Sequence, residues 1–333
     1  MTTLHVDLGR QWRGGQSQAL LLMRGLVERG HGADLVARAG SPLAGRAAAA
    51  GIKVYPLWHL LHTEPYALVH CHDANGLTAA WAAGAGRQSR LVASRRVAYP
   101  LARNPLAKAR YRAARIVAVS QFVRASVIAS GLPGEQVEVV YDGVELPEPA
   151  GPRIPSRRLG CVGYLLPEKG QELLIRALPL VLARYPDASL MLAGDGPCRA
   201  RLERLAAELG IAPAVEFAGH VEDVAAVYRS LDVFLFPSLA EPLGSALLTA
   251  MAYGLPVVAR PTGAVPEVIE DGGNGLFAGE EPGAFAGVVL RVLDDAELAA
   301  RLGAAARLSV EQRFSADAMI QGTLQVYHRV LAC

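Results

Sequence analysis

Short, continuous apolar runs alternate with longer stretches whose apolar residues recur at helical spacing, and the alternation occurs twice along the chain. In the first half, runs at 3–8, 33–38, 52–56, 67–71, 90–94, 115–119 and 136–141 predict strands. Helical patterns at 16–29, 75–85, 104–113 and 121–130 lie between them. Strands that are apolar on both faces belong to a parallel sheet covered on both sides. Repeated βα units of this kind wind a sheet in both directions from its first strand. The pattern breaks over 143–158, where Gly143, Pro147, Pro149, Gly151, Pro152 and Pro155 give a linker composition. It then restarts, with strands predicted at 159–163, 188–193, 213–217, 232–236, 256–259 and 275–277. Helices follow at 169–185, 197–209, 222–230, 243–253, 264–270, 282–292, 295–308 and 316–331. The expected fold class is therefore α/β, with two doubly wound parallel-sheet domains at 1–150 and 151–315. Ligands in such open sheets sit beyond the carboxyl ends of the strands, so the expected site is a cleft that the two domains face.

A length of 333 residues suits two domains. At 52% hydrophobic and 19% charged residues, disorder is excluded as the main state. The net charge of +2 argues against nucleic acid as a partner. It conceals an asymmetry. Residues 1–150 carry 17 basic and 10 acidic side chains, and residues 151–333 carry 16 and 21. Only three of the 33 basic residues are lysines, namely Lys53, Lys108 and Lys169. Cys71, Cys161, Cys198 and Cys333 form no CxxC pair, as expected of reduced thiols in the cytoplasm. The chain passes from Met1 directly into a strand-like run with no signal-peptide pattern. It has no apolar stretch of about 18 residues that would span a membrane. Membrane contact, if made, is expected to be peripheral, on the inner face.

Five segments carry chemistry. Gly14-Gly15 precedes the first helical pattern, where glycine admits close backbone approach and helix N–H groups favour an anion; the plainer alternative is a turn. Gly163-Tyr164-Leu165-Leu166-Pro167-Glu168-Lys169-Gly170 follows the first strand of the second half and contains its only lysine, a point charge suited to phosphate. Glu241, Gly244 and Ser245 lie between a strand and a helix whose first N–H groups are unobstructed, a second place for phosphate; Glu241 suits sugar hydroxyls. His70 and His72 share one side of a strand end. A metal reading of them with Asp73 matches no closed zinc spacing, so no metal is expected. Lastly, Arg95, Arg96, Arg103, Lys108, Arg110, Arg112 and Arg115 occur in a run with no acid. That run suits either an anionic acceptor or lipid surface, or a solvated helix face. No GxGxxG and no GxxxxGK[ST] occurs, which disfavours a nicotinamide dehydrogenase and a P-loop enzyme.

In their order these segments resemble the GT-B retaining glycosyltransferases of the family 4 type (glycosyl transferases group 1). The resemblance is densest from Gly160 to Leu276. It rests on Glu168-Lys169-Gly170, Gly194-Asp195-Gly196-Pro197, Phe217-Ala218-Gly219-His220, Phe236-Pro237-Ser238, Glu241…Gly244, Ala250-Met251-Ala252-Tyr253-Gly254-Leu255-Pro256, Glu267…Gly272 and Asn274-Gly275. The first half matches more loosely, through Gly14-Gly15, His70-x-His72 and Val119-Ser120. The resemblance implies two Rossmann-like domains, donor binding by the second, acceptor binding by the first, and a last helix, 316–333, crossing back onto the first. It implies metal-independent transfer from a nucleoside diphosphate sugar to a glycan or lipid-carried acceptor, as in envelope polysaccharide or lipopolysaccharide synthesis. By residue, it implies that Lys169 neutralises the diphosphate, that Gly244 and Ser245 bind a phosphate, and that Glu241 contacts the sugar. Gly219 and His220 would line the base, Gly15 would approach the diphosphate, and His72 would lie near the transferred sugar. Two departures stand out: Tyr164 replaces the usual arginine of the phosphate segment, and Thr249 replaces the second glutamate that usually binds ribose. They leave open two alternatives, a non-catalytic nucleotide- or sugar-binding relative and a nucleotide-sugar epimerase.

Overall fold

The computed structural model describes residues 1–62, 66–101, 104–148 and 156–332. They form two compact units, Met1–Gly143 together with the segment from Ser315, and Val144–Phe314.

The first unit contains β1 (Thr2–Asp7), α1 (Gly14–Glu28), β2 (Gly32–Ala37), α2 (Pro42–Ala49) and β3 (Val54–Tyr55). A 3-10 turn at Leu57–Leu61 leads to β4 (Leu68–Cys71), α3 (Ala74–Ala82), α4 (Ala85–Gln88) and β5 (Arg90–Arg95). Then come α5 (Pro105–Arg112), β6 (Arg115–Ala118), α6 (Gln121–Ala129) and β7 (Val137–Val139). The sheet is parallel throughout, in the order β3-β2-β1-β4-β5-β6-β7. Its order reverses between β1 and β4, where His5 stands opposite His70.

The second unit contains β8 (Arg158–Val162), α7 (Gln171–Leu182), β9 (Ser189–Ala193), α8 (Arg199–Glu208), β10 (Val215–Gly219) and α9 (Val224–Ser230). It continues through β11 (Val233–Phe236), α10 (Ser245–Ala252), β12 (Val257–Ala259), α11 (Val265–Val268), β13 (Leu276–Phe277), α12 (Pro282–Asp294) and α13 (Ala296–Ser309). A π-helical turn at Val310–Phe314 precedes α14 (Ala316–Ala332), which belongs to the first unit. The second sheet is also parallel, in the order β10-β9-β8-β11-β12-β13, and reverses between β8 and β11. Leu159, Leu190, Leu192, Val233, Leu235 and Phe285 are among its buried core residues. In the first unit Leu22, Met23, Leu26, Leu35 and Leu68 share a core with Ile320, Val326 and Tyr327 of α14.

The elements and unit bounds depart from the sequence reading as follows. Helix α2 was not expected. Its signal is Ser41-Pro42, a serine cap accepting from the Ala44 amide at 3.3 Å with proline in the first turn. Gly84, at φ +81°, splits the expected helix 75–85 into α3 and α4. Gly14 and Gly15 fall inside the first turn of α1 rather than before it. The units divide at 143/144 and 314/315; the expected boundary at 150/151 lies outside the described residues. Residues ahead of it already bond within the second unit, since Val144 N–H donates to Phe314 O at 2.9 Å and Arg307 donates to Pro147 O at 3.0 Å. A proline-rich composition marks where regular structure stops, not where packing stops.

Gly143 closes the first unit against α14. Its amide and carbonyl both bond the side-chain amide of Gln18, at 3.2 and 2.8 Å. A Cβ there would stand 2.6 Å from Ser315 O and 2.8 Å from Ala316 Cα, both backbone atoms that cannot rotate aside. Gly143→Ala is expected to cost about 1–3 kcal/mol in urea unfolding. Gly45→Ala, in α2 with nothing within 4 Å of the new methyl, is expected to be neutral or to stabilise by about 0.5–1 kcal/mol. Equal effects of the two would contradict the backbone contact.

Candidate functional site

In the second unit the strand exits of β8 and β11 are tied together where sheet order reverses. Leu239 N–H donates to Glu168 O at 2.8 Å. Gly170, at φ +70°, lies so close to Pro237 that a Cβ would stand 2.3 Å from its carbonyl oxygen. Between these contacts sits Lys169, in a 3-10 turn at Pro167–Lys169 and not at the start of α7 as the periodicity suggests. Its Nζ donates to Glu241 Oε2 at 2.7 Å. The lysine side chain is 29% exposed and the glutamate 9%, so the ammonium reaches solvent while the carboxylate is sheltered. The loop of Glu241 is fixed from the β12 side. Ala264 N–H donates to Glu241 O at 2.9 Å, and a Cβ on Gly263 would fall 2.3 Å from that same oxygen.

Three residues past Glu241, Gly244 adopts φ +103° and opens α10. Among the described residues no side chain caps this helix and no acid lies in its first turn, which leaves its first amides without a capping partner beside exposed Ser245. Thr249 lies one turn in, and its hydroxyl donates to Ser245 O at 2.9 Å. Tyr164, at the β8 exit, is 52% exposed. Gly219 ends β10 at φ +67°, next to exposed His220, and Arg199 Nη2 donates to Phe217 O at 3.2 Å just before it. Because the sheet is parallel, Tyr164, Lys169, Gly219, His220, Glu241 and Gly244 all follow strand exits at one edge. The structure thus brings Lys169 and Glu241 into contact, and gathers the other predicted residues of this unit along the same edge.

In the first unit the corresponding edge holds a buried imidazole cluster. His72 is joined by His70 and by His5, which sequence reasoning missed. The three place a ligand nitrogen each within 4.8 Å of one another. Every ring nitrogen nonetheless has a protein partner. His5 Nε2 meets Thr3 Oγ1 at 2.9 Å, and His5 Nδ1 meets His72 Nε2 at 2.9 Å. His70 meets Tyr327 Oη at 2.6 Å and Ser94 Oγ at 2.9 Å, and His72 Nδ1 meets Arg96 Nη1 at 3.4 Å. A metal ion here would have to displace these bonds beside the Arg96 charge. Burial pushes all three imidazoles below their ordinary range, His5 to about 3, so they are neutral. Their tautomers then follow. Arg96 only donates, so His72 Nδ1 accepts and His72 Nε2–H donates to His5, whose Nε2–H donates to Thr3. The signal for His5 was available: its strand had to lie beside the His70 strand once the sheet order was assumed.

The basic run 95–115 is not one solvated face. Arg95 is buried, donating to Tyr99 O at 2.5 Å and lying 4.8 Å from the Tyr99 ring. Arg96 donates to Asp142 at 2.9 Å, with both side chains 13% exposed, and passes 4.0 Å from where a Cβ on Gly15 would be. Lys108 and Arg110 are half-buried and Arg110 lies over Tyr111 at 5.6 Å, while Arg112 is exposed. Arg103 lies outside the described residues. The expectation that Arg95 and Arg96 face a lipid surface is therefore corrected, since internal partners and burial hold both.

The sequence matches the family description "Glycosyltransferase Family 4" over residues 12–148 and "Glycosyl transferases group 1" over residues 156–295. It is 33% identical over 230 residues to the GDP-mannose-dependent alpha-(1-6)-phosphatidylinositol monomannoside mannosyltransferase of Mycolicibacterium smegmatis, covering 62% of this chain and 60% of that one. It is 33% identical over 201 residues to the lipopolysaccharide core biosynthesis glycosyltransferase LpsE of Rhizobium meliloti, covering 60% of this chain and 56% of that one. The chain thus spans about 60% of the length of the mannosyltransferase. Its fold matches that of Anabaena HepE, solved with UDP and glucose, at a TM-score of 0.86 and 21% identity over 98% of this chain and 99% of that one.

The neutral histidines have a measurable consequence. In the unfolded chain each titrates near 6.5, and in the folded protein well below it. Their contribution to stability is therefore complete above about pH 6.5 and is lost as the pH falls toward the folded values, by up to about 1.4 kcal/mol per pH unit for each. Urea unfolding at pH 7 and pH 5 is expected to show a marked loss in the wild type and a smaller one in His5→Gln. An identical loss in both would contradict the buried neutral cluster.

Proposed function

We infer that this chain, which belongs to the GT-B glycosyltransferases of the group 1, family 4 type, transfers a sugar from a nucleoside diphosphate sugar to a glycan or lipid-carried acceptor. The second unit holds the donor and the first meets the acceptor. The observation that carries this reading is the Lys169–Glu241 pair at 2.7 Å, set beside the uncapped start of α10 at the point where the sheet reverses. A diphosphate needs a cation and outward amides, and a sugar needs hydroxyl acceptors; this edge offers both within a few residues. Relatives named for GDP-mannose and for lipopolysaccharide core synthesis, and a fold neighbour holding UDP and glucose, support the same reading.

The chemistry proposed is transfer with retention and without a metal ion. The bond between the sugar's anomeric carbon and the phosphate oxygen breaks, and the acceptor oxygen bonds to the same face of that carbon. The acceptor's proton passes to the departing phosphate. Such a reaction needs a stabilised leaving group more than a protein nucleophile. Lys169 supplies positive charge, and the amides at Gly244 and Ser245 supply hydrogen bonds. Glu241 spends Oε2 on Lys169 and keeps Oε1 for a sugar hydroxyl. Gly219 and His220 line the base, and Tyr164 donates a hydrogen bond where relatives have a charge. His72, buried and with both ring nitrogens engaged, acts near the transferred sugar through its hold on Arg96.

Thr249 favours a second reading, a relative that binds without transferring. Threonine has no carboxylate to offer ribose, and its hydroxyl proton is already donated to Ser245 O. Transfer assays with UDP-, GDP- and ADP-sugars decide between the two. Lys169→Ala is expected to lower turnover about 10²–10³-fold with the fold intact. Thr249→Glu is expected to tighten nucleoside diphosphate binding about tenfold, read as a thermal shift. Donor binding with no transfer to any acceptor would leave the binding-only reading standing.

A further inference from the structure

Among the described residues, the crossover from β3 to β4 holds one 3-10 turn, Leu57–Leu61. It is held from within by Leu60, which is buried, and by His59, whose ring stacks on Tyr55 at 3.9 Å. Its other large residues face outward: Leu57 is 51% exposed, Trp58 62% and Leu61 61%. Residues three apart in a 3-10 turn lie on one side, which puts Trp58 and Leu61 together. The rings nearest Trp58 are those of His59 and His62, in T-shaped arrangements at about 6 Å, and the indole still stands 62% exposed. Leaving such a group in water forfeits the hydrophobic gain of covering it, so a fixed turn of this kind points to something that covers it.

Charge selects the occupant. Residues 35–63 contain no aspartate or glutamate and carry Arg38, Arg46 and Lys53. Lys53 is exposed and lies four residues before Leu57, whereas the Arg46 guanidinium lies over the Trp12 ring at 4.3 Å. A second copy of this chain would bring like charge against like charge across a two-fold contact. An anionic bilayer instead takes up tryptophan and leucine at the headgroup boundary and attracts the flanking cations.

We propose that the Leu57–Leu61 turn is a membrane-docking element that inserts Trp58, Leu57 and Leu61 into an anionic lipid surface, with Lys53 against the headgroups. This rests on the reading that the acceptor is carried by a lipid, and it moves the expected lipid contact away from the 95–115 run. Because the inserting side chains are exposed, removing them leaves the core untouched.

The test uses the full chain with vesicles of phosphatidylcholine alone or mixed with phosphatidylglycerol. Cosedimentation is expected only with the mixture, to weaken with salt, and to fall at least tenfold in the variant carrying Trp58→Ser and Leu61→Ser. Lipids brominated along their chains are expected to quench the tryptophan fluorescence, and Trp58→Phe to abolish the quenching. Unchanged binding by the double variant, quenching that survives Trp58→Phe, or a dimer broken by Leu61→Ser would overturn the proposal. Thermal shift by nucleoside diphosphates is measured on the same variants and is expected to be unchanged. Its loss in the wild type would count against the transferase reading and leave the vesicle result to stand on its own.

Discussion

The ammonium of Lys169 and the carboxylate of Glu241 join two loops that leave neighbouring strands, and the rest of the second unit is arranged so that they can meet. Charges of opposite sign at 2.7 Å would collapse into a plain surface pair if their backbones were free to drift. They are not. Gly170 is pressed on Pro237 and Gly263 on the carbonyl of Glu241, and at both positions a side chain would collide with backbone. The lysine keeps more exposure than the glutamate, so the pair presents its cation outward and its acceptor inward. A pre-set pair of this kind gives up little ordering entropy when an anionic ligand arrives.

The first unit solves a different problem. Its edge is built from imidazoles, which in water would carry partial charge at neutral pH, yet burial holds them neutral. One guanidinium, on Arg96, fixes the direction of the hydrogen bonds through His72 and His5 to Thr3, and Asp142 fixes Arg96. The cluster extends into α14 through Tyr327, so the last helix helps to order His70 on β4. The proposed lipid contact lies on the same unit but shares none of these residues, which lets docking and chemistry be altered separately.

Much of this was legible in the sequence. Strands buried on both faces, a linker composition and the restart of the pattern were enough for two parallel-sheet units, because such strands have few other ways to be covered. Lys169 and Glu241 stood out individually, by rarity and by position after strands. Their contact did not, because it depends on β8 and β11 being neighbours, a matter of sheet order and not of spacing. His5 likewise becomes legible only once β1 is set beside β4. The basic run misled because charge counted along a chain ignores partners. Arg95 has Tyr99 and Tyr111, and Arg96 has Asp142, 46 residues away. Helix α2 was lost among alanines, whose apolar periodicity is weak, although Ser41-Pro42 announced its start.

The central claim, that Lys169 holds the diphosphate of a nucleotide donor, is tested most directly by isothermal titration of a nucleoside and its diphosphate into wild type and Lys169→Met. A diphosphate held by the ammonium predicts that the diphosphate binds at least tenfold more tightly than the nucleoside to the wild type, and that the variant loses this difference while still binding the nucleoside. Equal affinity of the two ligands for the wild type, or a difference that survives in the variant, would contradict it.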